Sequence, residues 1–369
     1  MNLQVKNLTD YINIMNDEKM KDYYFRGENR NYTDITSSFL RKYKVMPLND
    51  NPFDTLISNY YKEIATNISE FERNSFLAFS QHHGLWTNLV DFTTSPLVAL
   101  YFACDKNNEK DQIGYVHLIN KKNTLEISEL IDRHCSPPFG HYNLIDLFST
   151  GDEDVLSYLK QSLSAYFWDH DNLQQYLKSV LKCCQKLSTS CISKEFIDEY
   201  SVAQKHEYEN CEGGIDPTEC LNLITRYFRE LDPIGITNDL SVYLVLLYLY
   251  FRDLSSSYFM DVSHENFDFP EIPYFIYKTP YKFDRIRNQE GVFIYQNFMT
   301  FALHREDFVD SIIIQKILPD ITIEIHNQQV IRDQLDFIGY NQKFIYGDND
   351  NIAQYMNHKY ICPNRVSKN

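Results

Sequence analysis

The stretch Ser80–Ala103, SQHHGLWTNLVDFTTSPLVALYFA, decides how the rest of the chain is read. Its end is an apolar, helix-forming run, LVALYFA, that any core would use. Thr93, Thr94 and Ser95 stand just ahead of Pro96 and mark the helix start, because hydroxyls cap helix N-termini and proline is tolerated in the first turn. A core does not require the beginning of the stretch. There His82, His83, Gly84 and Asp91 place imidazoles and a carboxylate directly before a buried helix.

Upstream, Phe53–Phe79 is a long amphipathic stretch with Leu56, Ile57, Tyr60, Ile64, Ile68 and Phe71 on one helical face. Asn7–Met20 has apolar residues at helical spacing, and Tyr23-Tyr24-Phe25 is a short β-prone run ending at Arg26-Gly27. Downstream, Ile113–Ile119 (IGYVHLI) reads as a strand. From about Lys121 to Asp261 the periodicity turns helical. GDEDVLSYLKQSL, NLQQYLKSVLKCC, PTECLNLITRYFREL and NDLSVYLVLLYLYF each predict a helix, the last two joined by the turn DPIGIT. Strands return in PYFIYKTP, EGVFIYQ and SIIIQKILP. Helices follow in IRDQLDFIGYN, with Gly339 past its end, and in NDNIAQYMNHKY. The expected fold is α+β, with residues 1–120 and 270–369 forming one discontinuous domain and 121–269 an all-α helical insertion. Two consecutive domains are the alternative.

The chain has 369 residues, of which 43% are hydrophobic, so it can bury a sizeable core. Its formal net charge of −16 argues against a general nucleic-acid or anionic-membrane binder, since such proteins displace counterions with excess Lys and Arg. The longest apolar run, Leu240–Phe251, falls short of the roughly 20 residues that span a bilayer. The N-terminus lacks the pattern of a secretory signal. The eight cysteines are scattered, none with C-x-x-C spacing, which predicts reduced cytoplasmic thiols and no metal site.

Several separate segments resemble the FRG domain family, named for its Phe/Tyr-Arg-Gly motif. The triplet is Phe25-Arg26-Gly27 here, followed by ITSSFLR at Ile35–Arg41. The opening stretch resembles the family's second block at Gln81, His82, Gly84, Thr87, Leu89, Asp91, Thr93, Pro96 and Ala99–Ala103. Trp86, Asn88 and Phe92 stand where that block usually has proline, arginine and tryptophan. RIRNQEGVFIY resembles a third block at Arg285, Gln289, Gly291 and Phe293. These blocks are in turn similar to the motifs of R-S-E type ADP-ribosyltransferases: an aromatic-Arg-Gly strand, a Ser-Thr-Ser strand leading into a helix, and a late E-x-E strand. The resemblance implies an ADP-ribosyltransferase-like split β-sheet core, NAD as substrate without a metal, and a toxin or phage-defence setting.

In such a cleft Arg26 would fork onto a phosphate, and Gly27 would let a ligand approach the backbone. The alternatives are a structural ion pair and a strand bend. Thr93, Thr94 and Ser95 would contact ligand hydroxyls, or simply cap the helix. The catalytic carboxylate is the weak point. Gly291 falls where the E-x-E glutamate is expected, and Glu290, one residue away, would face the cleft only through a local bulge. Gln289 would make a polar contact. His82 oriented by Asp91 offers a separate proton-shuttling route, with His83 beside it. Three readings stay open. The first is an NAD-consuming enzyme acting on a macromolecule or on NAD itself. The second is a non-catalytic nucleotide- or protein-binding module whose helical insertion meets a protein partner. The third is a hydrolase built on His82 and Asp91.

Overall fold

The computed structural model describes residues 3–42, 52–105, 113–150 except 139, 272–361 except 281–282 and 302–310, and scattered positions between 152 and 166. The segments NLQQYLKSVLKCC, PTECLNLITRYFREL and NDLSVYLVLLYLYF lie outside the described residues. GDEDVLSYLKQSL is helical at its described positions between 154 and 163.

The architecture is α+β. The strands are β1 (Leu3–Val5), β2 (Tyr23–Glu28), β3 (Leu89–Thr93), β4 (Gly114–Asn120), β5 (Thr124–Glu126), β6 (Tyr274–Tyr277), β7 (Gly291–Tyr295), β8 (Phe298–Phe301), β9 (Ser311–Ile314) and β10 (Ile321–Ile325). One sheet runs β1-β10-β4-β2-β3-β7-β6-β5, and β8 and β9 make a separate two-stranded ribbon. The interior pairs are antiparallel; β1 on β10 and β5 on β6 are parallel.

At its middle the sheet is nearly divided. β2 pairs with β4 along its whole length, from Tyr23↔Asn120 to Glu28↔Tyr115, and β3 pairs with β7 from Leu89↔Tyr295 to Thr93↔Gly291. Between them β2 and β3 share a single register pair, Phe25↔Thr93. Past that pair the strands part, and the parting contains Arg26 and Asp91.

Two cores flank this junction, and the period-2 alternation of β2 divides its residues between them. Phe25 packs with Val98, Ala99, Leu100 and Tyr101 of the helix Pro96–Ala103. That helix is apolar on every side, the pattern of a fully buried element. It sits so close to the sheet that a Cβ on Gly27 would lie 1.8 Å from the Ala99 carbonyl oxygen. On the opposite sheet face Tyr24 joins Val90, Phe92, Ile119, Ile276, Val292 and Ile294.

The fold departs from the sequence reading in three places. The amphipathic stretch Phe53–Phe79 is broken into Pro52–Ile64, Glu70–Asn74 and Phe76–His82. Ser69 and Glu72 form a capping box that restarts the helix, and Phe71 is left 72% exposed. β5 lies within 121–269 yet joins the sheet through β6. β10, the short run ITIEI, inserts between β1 and β4, which supply its register. Gly339 does follow the helix Gln328–Phe337, at φ +97°. No described helix is long and apolar enough to cross a membrane.

Candidate functional site

Arg26 bridges the parted strands. Its Nε donates to Glu28 Oε1 at 2.8 Å, and its Nη1 donates to the Asp91 carbonyl at 2.8 Å. Glu28 is buried, and His117 Nε2 lies 3.4 Å from its Oε2. Burial works against ionisation of Glu28, but the His117 and Arg26 donors more than offset it and hold its carboxyl below the usual range. His117 Nδ1 in turn lies 3.0 Å from Thr322 Oγ1. The guanidinium is therefore held from behind while Nη2 makes no hydrogen bond among the described residues.

Gln81, at the end of the helix Phe76–His82, separates two cavities. Thr87 Oγ1 donates to Gln81 Oε1 at 2.5 Å, and Gln81 Nε2 donates to Asp91 Oδ1 at 2.8 Å. On one side lies a cavity of about 180 Å³ lined by Arg26, Ser37, Ser38, Arg41, Trp86 and Asp91, among others. On the other lies one of about 130 Å³ whose lining includes His82, Asp91, Phe283, Arg285 and Gln289. Gln81 and Asp91 line both. Arg26 and His82 thus face neighbouring cavities with a shared wall.

In the second cavity the His82 ring packs against Phe283, centroids 3.7 Å apart and planes tilted by 33°. Burial pushes its pKa down to about 4, helped by His83 and Arg285 and opposed by Asp348. Its Nδ1 is buried without a hydrogen bond, and none joins His82 to Asp91 among the described residues. Arg285 sits 5.2 Å from the Tyr346 ring. Its side chain makes no hydrogen bond or ion pair among the described residues. Gln289 donates through Nε2 to the Ile345 carbonyl at 3.2 Å.

The remaining candidates serve the junction between β3 and β7. Thr93 Oγ1 donates to the Gln289 carbonyl at 2.6 Å and accepts from the Ser95 amide at 2.9 Å. Ser95 is buried at the helix start and makes no side-chain cap bond. Glu290 adopts φ +46° in the turn before β7, and its Oε2 accepts from Thr94 Oγ1 at 3.0 Å. Neither Glu290 nor Thr94 lines either cavity. His83 is exposed and packs on Phe79, 4.4 Å between centroids. Gly27 serves helix packing on the face opposite Arg26. Asn88 is buried and donates to the Gln296 carbonyl at 3.3 Å, away from both cavities.

Residues 21–112 match the FRG domain family model. Every described residue lining the Arg26 cavity falls inside this FRG segment, whereas the His82 cavity also takes Phe283, Arg285 and Gln289 from far beyond it. No curated protein and no solved structure matches the chain.

Gln81, Arg41, Trp86, Phe283 and Arg285 line the cavities without having been assigned roles from the sequence. Gln81, Arg41 and Arg285 did stand in segments that resemble the FRG family, which was the available signal. Glu28 and His117 carried none. Their roles depend on the cross-strand pairs Arg26↔His117 and Glu28↔Tyr115.

Proposed function

We propose that this chain takes NAD as substrate in an ADP-ribosyltransferase-like cleft, with the diphosphate on Arg26, and releases nicotinamide. The observation that carries the reading is Arg26 itself. It opens into a cavity beside Arg41, Ser37 and Ser38 with one guanidinium arm uncommitted. A planar fork of donors suits a phosphate better than a point charge does. Exposed Trp86, on the same wall, offers a flat face for a purine. Neither cavity alone reaches the roughly 300 Å³ at which ligand pockets begin, but side by side across Gln81 and Asp91 they do. The adjacency of β2, β3 and β7 supports the same reading, because it brings the three segments that resemble the R-S-E motifs onto neighbouring strands.

The acceptor of ADP-ribose is a macromolecule or water. A toxin or defence role belongs to this proposal and depends on it, as does a protein partner for residues 121–269. Equilibrium titration with NAD and chromatographic detection of nicotinamide test the reading. Saturable binding and steady nicotinamide release are expected, with affinity at least tenfold weaker in Arg26→Ala. Absence of both signals at millimolar NAD would remove it.

The position of Glu290, in a turn and bonded to Thr94, favours a second reading: a nucleotide-binding module without catalysis. That module would bind NAD and release no nicotinamide.

A further inference from the structure

We infer that Asp91 is the carboxylate that stabilises the ribosyl cation during nicotinamide release, the task for which the sequence offered Glu290, one residue from the expected E-x-E position. The inference rests on the NAD reading above. Glu290 is turned toward Thr94 and lines neither cavity. Asp91 lines both, and it is the one carboxylate among their described lining residues, which include three arginines: Arg26, Arg41 and Arg285. A carboxylate in such company would ordinarily be consumed by an ion pair. Asp91 makes none among the described residues. Its Oδ1 accepts from Gln81, and its Oδ2 accepts no hydrogen bond among them.

The group is also held in place. Arg26 fixes its main-chain carbonyl from β2, and the register pair Asp91↔Phe293 fixes it from β7. Thr87, fully buried, orients Gln81, which orients the carboxylate. A preorganised negative group aimed where positive charge develops is the arrangement that lowers such a barrier. Its place between the cavities fits a substrate whose diphosphate lies on the Arg26 side and whose nicotinamide lies on the His82 side.

The step is a heterolysis. The bond from ribose C1′ to the nicotinamide nitrogen breaks, and its electron pair leaves with nicotinamide, which becomes neutral. The positive charge remaining on C1′ and the ring oxygen faces Asp91 Oδ2. In hydrolysis a water oxygen bonds to C1′ and loses a proton to solvent, giving ADP-ribose, nicotinamide and one proton.

Asp91→Asn keeps the volume and an acceptor for Gln81 while removing the charge. The expected result is NAD affinity within about threefold of the unaltered chain and nicotinamide release reduced by about 100-fold or more. Release within about threefold of the unaltered chain, in a folded Asp91→Asn protein, overturns the inference and leaves the NAD reading standing. Loss of release in Glu290→Gln but not in Asp91→Asn also overturns it, returning the task to Glu290. Should Asp91→Asn fail to fold, Asp91→Ala with added formate is the second measurement. Restored release supports a missing carboxylate, and a folded Asp91→Ala protein with unimpaired release refutes the role. A chain that binds no NAD at all removes the NAD reading itself, a result separable from each of these.

Discussion

Arg26 Nη1 donates to the main-chain carbonyl of Asp91 at 2.8 Å, across the line where β2 and β3 part. The guanidinium takes up an acceptor on β3 that strand pairing leaves, and the same side chain forms a wall of the cavity. One residue therefore both ties the strands together and lines the cavity. Arg26→Lys keeps the charge but cannot reach Glu28, the Asp91 carbonyl and a phosphate together. The expected outcome in urea titration is a loss of about 1–3 kcal/mol, the cost of leaving buried Glu28 short of a donor. NAD affinity should fall with it. Unchanged stability and affinity would mean that lysine satisfies the site.

Two glycines in the FRG segment should fail for different reasons. At Gly27 an added Cβ meets Ala99 O at 1.8 Å and Ala103 N at 2.8 Å, backbone atoms that cannot rotate away. Gly27→Ala is expected to cost about 3 kcal/mol, at the upper end of overpacking penalties. Gly84, at φ +87°, has nothing within 4 Å of an added Cβ, so Gly84→Ala meets only backbone strain of about 1 kcal/mol. Thermal melts of the two variants give the comparison, and equal shifts would contradict the packing of the Pro96–Ala103 helix on β2.

The pH dependence of stability should have two opposing contributions. His82 has a folded pKa near 4 against 6.5 when unfolded, chiefly from burial. Its contribution is present above pH 6.5 and is lost as pH falls through 4, because the unfolded chain takes the proton first. His82→Phe should flatten that part of the profile. Asp132 behaves in the opposite sense. Burial raises its pKa from 3.8 to about 6, with the Tyr277 hydroxyl, 3.1 Å from Oδ1, partly countering it. Its contribution is present below pH 3.8 and is lost as pH rises through 6. Asp132→Asn should raise Tm more at pH 8 than at pH 3.5, and an equal change at both would refute the assignment.

Thr93→Val removes the 2.6 Å bond to the Gln289 carbonyl and the acceptor for the Ser95 amide. A loss of about 1–3 kcal/mol is expected, as for orphaned buried polar groups. If Thr93 served a ligand alone, affinity would change and chemical denaturation would not.

The elements were legible in the sequence wherever local pattern sufficed. The β-prone run at Tyr23–Phe25, the Pro96 helix start and the strand EGVFIYQ are all in place. Ser69–Glu72 broke a helix that apolar spacing alone made continuous, although the capping-box pattern was there to be seen. β10 went unread because ITIEI is short, and its place between β1 and β4 is set by pairing. At the site, Arg26, His82 and Gln289 were legible as cavity residues from the motif blocks. The division of the cleft was not. It depends on the Thr87–Gln81–Asp91 chain of hydrogen bonds and on Glu290 taking a left-handed turn, and neither follows from residue spacing.

The account is tested most directly by a crystal structure of the Asp91→Asn protein grown with NAD. The predicted result places the diphosphate against Arg26 and Arg41, ribose C1′ facing residue 91, and nicotinamide beside His82 and Gln289. A diphosphate bound elsewhere, with Arg26 still occupied only by Glu28 and the residue 91 carbonyl, would contradict it.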